Sequence, residues 1–151
     1  MDISKILHEE LLQLKNDVIY RHEQARQVAS GKTRSMFDEY LTSDYSGVLE
    51  GASYVGVLER GRGAGKVPYN FKDILQRWAQ AKGLTFKSEA DFNRWVYFVI
   101  KKIKEEGTTL YRSESNEDIF STPISEFTDR LSSRVVSYFE TEIKNQIYEH
   151  K

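Results

Sequence analysis

Residues 45–66, YSGVLEGASYVGVLERGRGAGK, decide how the chain is read. Val48 and Glu50, then Val55, Val57 and Glu59, supply β-branched residues in partial alternation, which predicts two short strands joined at Gly51-Ala52-Ser53. Gly56 inside the second strand points to a bulge or a close backbone contact. Residues 60–66 follow as a loop with three glycines (Gly61, Gly63, Gly65) and three bases (Arg60, Arg62, Lys66). A strand pair set between long helical patterns gives an α+β chain with a small antiparallel sheet.

Upstream, Ile3 to Ala29 lacks Gly and Pro and is rich in Leu, Gln, Lys and Glu, all good helix formers. Leu7, Leu11, Leu14, Val18, Ala25 and Val28 form an apolar stripe at steps near four and three, broken at Arg21. Such a helix runs roughly 40 Å and packs on its own sheet, with coiled-coil pairing to another subunit the alternative. Ser30-Gly31 stops it, and Lys32 to Leu41 is either a strand or an irregular arm.

Downstream, Asn70 is the expected N-cap of a helix through Lys82 whose apolar face is Ile74, Leu75, Trp78 and Ala81. Ser88 with Asp91 predicts a capped helix over 89–106 facing inward through Phe92, Trp95, Val96, Val99, Ile100 and Ile103. Thr108–Arg112 (TTLYR) is expected as a short strand. Thr122-Pro123 should cap a last helix reaching about Tyr148. The expected order is α-β-β-α-α-β-α in one domain, 1–151: an N-terminal helix (1–30), an α+β core (31–122) and a C-terminal helix (123–151).

The 151 residues are 39% hydrophobic and 30% charged, with mean hydropathy −0.60. No run approaches the ~18 apolar residues of a membrane span, so no membrane partner is expected. The opening MDISKILHEELLQ carries acids where a signal peptide has bases, which argues against secretion. The absence of Cys excludes disulfides, thiol catalysis and Cys-ligated metals. His8, His22 and His150 are expected to face solvent on the end helices, so no metal or other cofactor is expected.

Sites of chemistry fail on spacing. A Walker loop ending at Gly65-Lys66 needs Gly at 60 and Ser or Thr at 67, where Arg60 and Val67 stand. The dinucleotide fingerprint needs Gly at 66, which is Lys. Gly51-Ala52-Ser53-Tyr54-Val55 lacks the second Gly of a nucleophile elbow. Glu50 and Glu59, closing successive strands, are more readily a structural pair with Arg60 or Arg62 than an acid/base couple. A hydrolase using Ser53 or Glu50/Glu59 therefore ranks below any binding role, and no catalytic residues are assigned.

The charge is segregated. Residues 1–59 carry net −4, residues 60–104 net +8 and residues 105–151 net −5. The basic segment can pair with the acidic ends of its own chain, bind nucleic acid, or meet the acidic helices of a neighbouring copy head to tail. A near-zero total split into blocks fits the last better than nucleic-acid binding.

The order of a long N-terminal helix, Ser30-Gly31-Lys32-Thr33-Arg34-Ser35, Tyr54-Val55-Gly56-Val57-Leu58-Glu59-Arg60-Gly61-Arg62, Gly65-Lys66-Val67-Pro68, a helix with Ile74 and Trp78, Lys82-Gly83, and Lys101-Lys102-Ile103 before Gly107-Thr108 resembles the head–tail connector and tail-completion (neck) proteins of tailed bacteriophages. The likeness spans residues 30–112. It implies a virion protein forming a six- or twelve-fold ring that joins head and tail, contacts portal, connector or tail proteins, and lines or seals the channel holding packaged DNA. Under it, Arg60, Arg62 and Lys66 reach a neighbour or the DNA. The strand Tyr54–Glu59 pairs between subunits, and the Ser30–Met36 arm, with Lys32 and Arg34, lies on the next protomer. The alternative is a nucleic-acid-binding accessory protein using residues 60–104.

Overall fold

A computed structural model describes residues 2–25, 27–114 and 117–149. The fold is α+β: a two-stranded antiparallel sheet among helices, with the longest helices at the two ends. Helix α1 (Ile3–Gln24) opens where Asp2 accepts the Ser4 amide at 3.4 Å. It buries Ile6, Leu7, Leu11, Leu14, Val18 and Ile19 along one stripe. The helix ends at Gln24, short of the expected Ala29. Val28 is thus off the stripe, and its carbonyl accepts Lys82 Nζ at 2.7 Å.

A single 3₁₀ turn (Arg34–Met36) leads into β1 (Asp38–Ser43), which pairs with β2 (Ser46–Glu50) in the register Glu39↔Leu49 and Tyr40↔Val48. The hairpin therefore lies one segment upstream of the expected one, and its turn is Asp44-Tyr45. Gly47 sits where α1 crosses the sheet; a Cβ there would run into the Leu11 side chain. Glycine lets the strand approach the helix this closely.

The expected second strand is helix α2 (Val55–Arg60). The turn bonds Val55 N to Ala52 O (2.9 Å) and Val57 N to Tyr54 O (3.0 Å) start it. A helical period turns Val55, Leu58 and Glu59 inward and leaves Val57 exposed. Tyr54–Glu59 offers no strand edge.

Helices α3 (Phe71–Ala81) and α4 (Glu89–Glu106) form a hairpin. Trp78 and Trp95 lie nearly parallel, 6.4 Å apart, and Phe86 wedges between Phe92 and Trp95 at 5.3 Å from each. Ser88 caps α4, accepting the Asp91 amide at 3.1 Å, as expected, whereas Asn70 makes no side-chain capping bond. TTLYR is not a strand: Thr108 caps the one-turn helix α5 (Thr109–Arg112).

Helix α6 (Ser121–Glu149) begins before Thr122, and Asp118 accepts the Thr122 amide at 2.9 Å in the capping role expected of Thr122. The helix runs back along α1. The main core gathers Leu14, Val18, Ile19, Phe37 and Ile119, with Leu49, Leu58, Phe120 and Phe127 packed on it.

Candidate functional site

Residues 59–66 form a clasp. Glu59 is buried, and its carboxylate accepts the Phe120 amide at 2.9 Å and the Ser121 hydroxyl. A negative group at the first turn of α6 satisfies amides that have no helical partner and complements the helix dipole. Glu59 is thus an internal anchor, engaged within its own chain. It is also separated in role from Glu50, which lies exposed at the end of β2, so no carboxylate couple forms.

The glycines after Glu59 serve close packing. Arg62 N donates to Thr108 Oγ1 (2.9 Å), Thr108 N to Arg62 O (2.8 Å) and Gly65 N to Lys104 O (2.9 Å). Gly61 has φ +75, and a Cβ there would come within 2.5 Å of Thr108 Oγ1 and the Tyr111 amide. Across the contact, Gly107 has φ +81, and its Cβ would meet Arg62 O at 2.6 Å. Both positions demand glycine for conformation and for space. The Arg62 guanidinium folds back to the Lys66 carbonyl. The loop is fastened to the α4–α5 junction, not a free arm.

The two other basic residues of this loop, Arg60 and Lys66, are exposed. Among the described residues neither has an acidic partner, nor do Lys72, Lys87, Lys101, Lys102 and Lys104; within residues 60–104, Arg94 pairs with Asp91 at 4.0 Å. Among the described residues, these side chains of the basic segment are not neutralised by the acidic ends within one copy.

Tyr54, Lys32 and Arg34 meet around the 30–36 arm. The Tyr54 hydroxyl lies 3.2 Å from Thr33 Oγ1 and donates to Met36 Sδ at 3.3 Å. Arg34 pairs with Glu23 at 3.3 Å, while Lys32 is exposed. The arm thus makes contacts to its own chain through Thr33, Arg34 and Met36. Of the seven sequence-predicted contact residues, Arg60, Lys66 and Lys32 remain at the surface without an intrachain side-chain partner among the described residues.

Sequence reasoning missed the junction of the two end helices. Glu10 is buried and receives Arg130 Nε at 2.9 Å and Arg134 at 2.8 Å; Arg130 also reaches Asp17 (3.2 Å) and Arg134 reaches Glu9 (2.6 Å). Burial pushes the Glu10 carboxyl up, but the hydrogen bonds from Arg134 and Arg130 outweigh it and hold it below its ordinary value. The available signal was a pair of arginines at i and i+4 on a helix whose other charges, Lys144 apart, are acidic. His22 is buried as well, contrary to expectation, and its Nε2 has no partner among the described residues. Loss of solvent lowers its pKa, with Glu23 acting weakly the other way. His8 is exposed, and His150 lies outside the described residues.

Among the described residues, no three His, Asp or Glu side chains are grouped to hold a metal, and no helix is long and apolar enough to cross a membrane. One groove, about 570 Å³, runs between Ile6 and the Arg134–Asn145 stretch of α6, and another, about 380 Å³, lies between Lys15 and Ser35. Neither contains Ser53, Glu50 or Glu59. Comparison with protein-family models, curated proteins and solved structures finds no match for this chain.

Proposed function

We propose that this chain is a structural protein of a tailed-bacteriophage virion, a subunit of a ring at the neck or tail top. The observation that carries the assembly part of this reading is its exposed surface. The chain exposes 10565 Å². A self-contained monomer of 17.6 kDa is expected to expose about 7,900 Å². The excess, about 2,600 Å², is more than the roughly 1,600 Å² that two standard-sized interfaces take from one subunit. Its chemistry suits burial: Tyr97, Phe98, Val136, Phe139, Ile143 and Ile147 are all about half exposed or more. The resemblance of residues 30–112 to connector and tail-completion proteins supplies the phage context. Arg60 and Lys66, held outward by the clasp, are the residues offered to a neighbour or to packaged DNA, and portal, connector or tail proteins are the partners.

The double substitution Arg60→Glu/Lys66→Glu in the phage tests this. The clasp needs neither side chain, so the protein should still fold, while plaque titre falls and particles lacking tails or leaking DNA accumulate. Normal titre with normal particles would sink the assignment of these two residues.

A second reading is favoured by the position of Lys104, whose carbonyl binds Gly65 and so sets it near the basic loop. A nucleic-acid-binding accessory protein would use this patch. Its affinity for duplex DNA would then fall steeply with salt, with a log–log slope of about −0.9 per phosphate contacted.

A further inference from the structure

We infer that the outer face of the second half of α6 docks on the outer face of α4 in another copy of this chain, a head-to-tail contact. Val136, Phe139, Ile143 and Ile147 recur at steps of three and four and share one side of α6. They are exposed at 57%, 48%, 56% and 57%. The opposite side, with Phe127, Arg130, Arg134 and Tyr138, is the one turned to the core and α1. Beyond the groove at Ile6, α6 outruns α1, and among the described residues Ile143, Ile147 and Tyr148 in its last two turns stay exposed.

The matching surface is on α4. Its inner side packs Phe92, Trp95 and Val96 against the α3–α4 hairpin, leaving Tyr97 and Phe98 exposed at 63% and 60%. Arg94, Lys101 and Lys102 stand one turn away from Phe98 on that outer side. The α6 face carries Glu140 beside Phe139 and Ile143. Glu140, Lys101 and Lys102 have no acidic or basic partner among the described residues of their own chain. An apolar stripe with an acid beside it therefore faces an aromatic pair ringed by bases. The two patches are different surfaces, so each copy presents one of each and the contact repeats, closing into a ring when the rotation allows. Two such patches at about 800 Å² each fit within the excess surface. The inference rests on the assembly reading above and names the faces that would carry it.

The chain has no cysteine, so introduced thiols report only the chosen positions. Full-length Ile143→Cys and Phe98→Cys are made separately, and each alone and their equimolar mixture are treated with a short bismaleimide. Sedimentation velocity of the unmodified chain is recorded at the same concentration. The expected result is a cross-linked heterodimer in the mixture and its loss in either variant alone, with an oligomer of the unmodified chain. Dimers from Ile143→Cys alone would mean α6 pairs with α6 and would overturn the contact. An oligomer in sedimentation without cross-linking in the mixture overturns the contact and leaves the assembly reading standing. A monomer with no cross-link takes down both.

Discussion

Glu59 ties two parts of the chain that are some sixty residues apart in sequence, because its carboxylate meets the Phe120 amide and the Ser121 hydroxyl at the start of α6. A hydrogen bond to a charged group contributes about 1.5–3 kcal/mol, and leaving the amide unpaired in a buried place adds to the loss. Glu59→Ala is expected to cost about 2 kcal/mol and lower the melting temperature by roughly 4–8 °C. Thermal unfolding followed by circular dichroism checks it, and an unchanged melting temperature would remove Glu59 from the role of anchor. Motif reading singled out residues 59–66 but not the intrachain clasp they form with Thr108 and the start of α6. Gly61 and Gly107 are where the loop and the α4–α5 turn touch, and nothing local in the sequence announces a partner that far along the chain. Spacing could only say what the glycines were not, a phosphate cradle.

At the scale of elements, the long amphipathic helices were legible because their periodicity spans many turns: α1, α4 and α6 begin or end within a few residues of expectation. The short elements were not. Val55 and Val57 alternate like a strand, yet two turn bonds and the inward pull on Val55, Leu58 and Glu59 make α2 a helix. TTLYR has strand composition but lies next to Gly107, where the Thr108 cap starts one helical turn. Tertiary contacts outweigh propensity over four to six residues. The α1–α6 junction has its own consequence for acid stability. The folded Glu10 carboxyl is held below its ordinary value near 4.5, so its contribution is present above that pH and is lost as pH falls through the folded value. Glu10→Gln should therefore cost about 1.5–3 kcal/mol at neutral pH, toward the lower end because Arg130 and Arg134 remain a third exposed and keep Asp17 and Glu9. Urea unfolding from pH 7 to pH 3 should show the gap between variant and parent narrowing below about pH 4.5. A constant gap would mean that the carboxylate is not what holds the helices together.

For the molecule as a whole, the segregated charge and the surplus surface belong together. Intrachain pairing of the basic middle with the acidic ends was the simplest explanation of a near-zero total, and the ion pairs do not take that form. The two acidic ends pair with each other's bases instead, as in Glu10 with Arg130 and Arg134, and Arg21 with Asp118. Among the described residues, Arg60, Lys66, Lys72, Lys87, Lys101, Lys102 and Lys104 have no acidic partner. Apolar area on α4 and α6 points the same way, since burying it stabilises by roughly 25 cal/mol per Å². The proposed assembly into a virion ring would give both features a use. The most direct measurement is the copy number of this protein, relative to portal and major capsid proteins, in gradient-purified phage particles by quantitative mass spectrometry. The account predicts about six or twelve copies per particle, the multiplicities of a closed neck or tail ring. Absence from particles would contradict it.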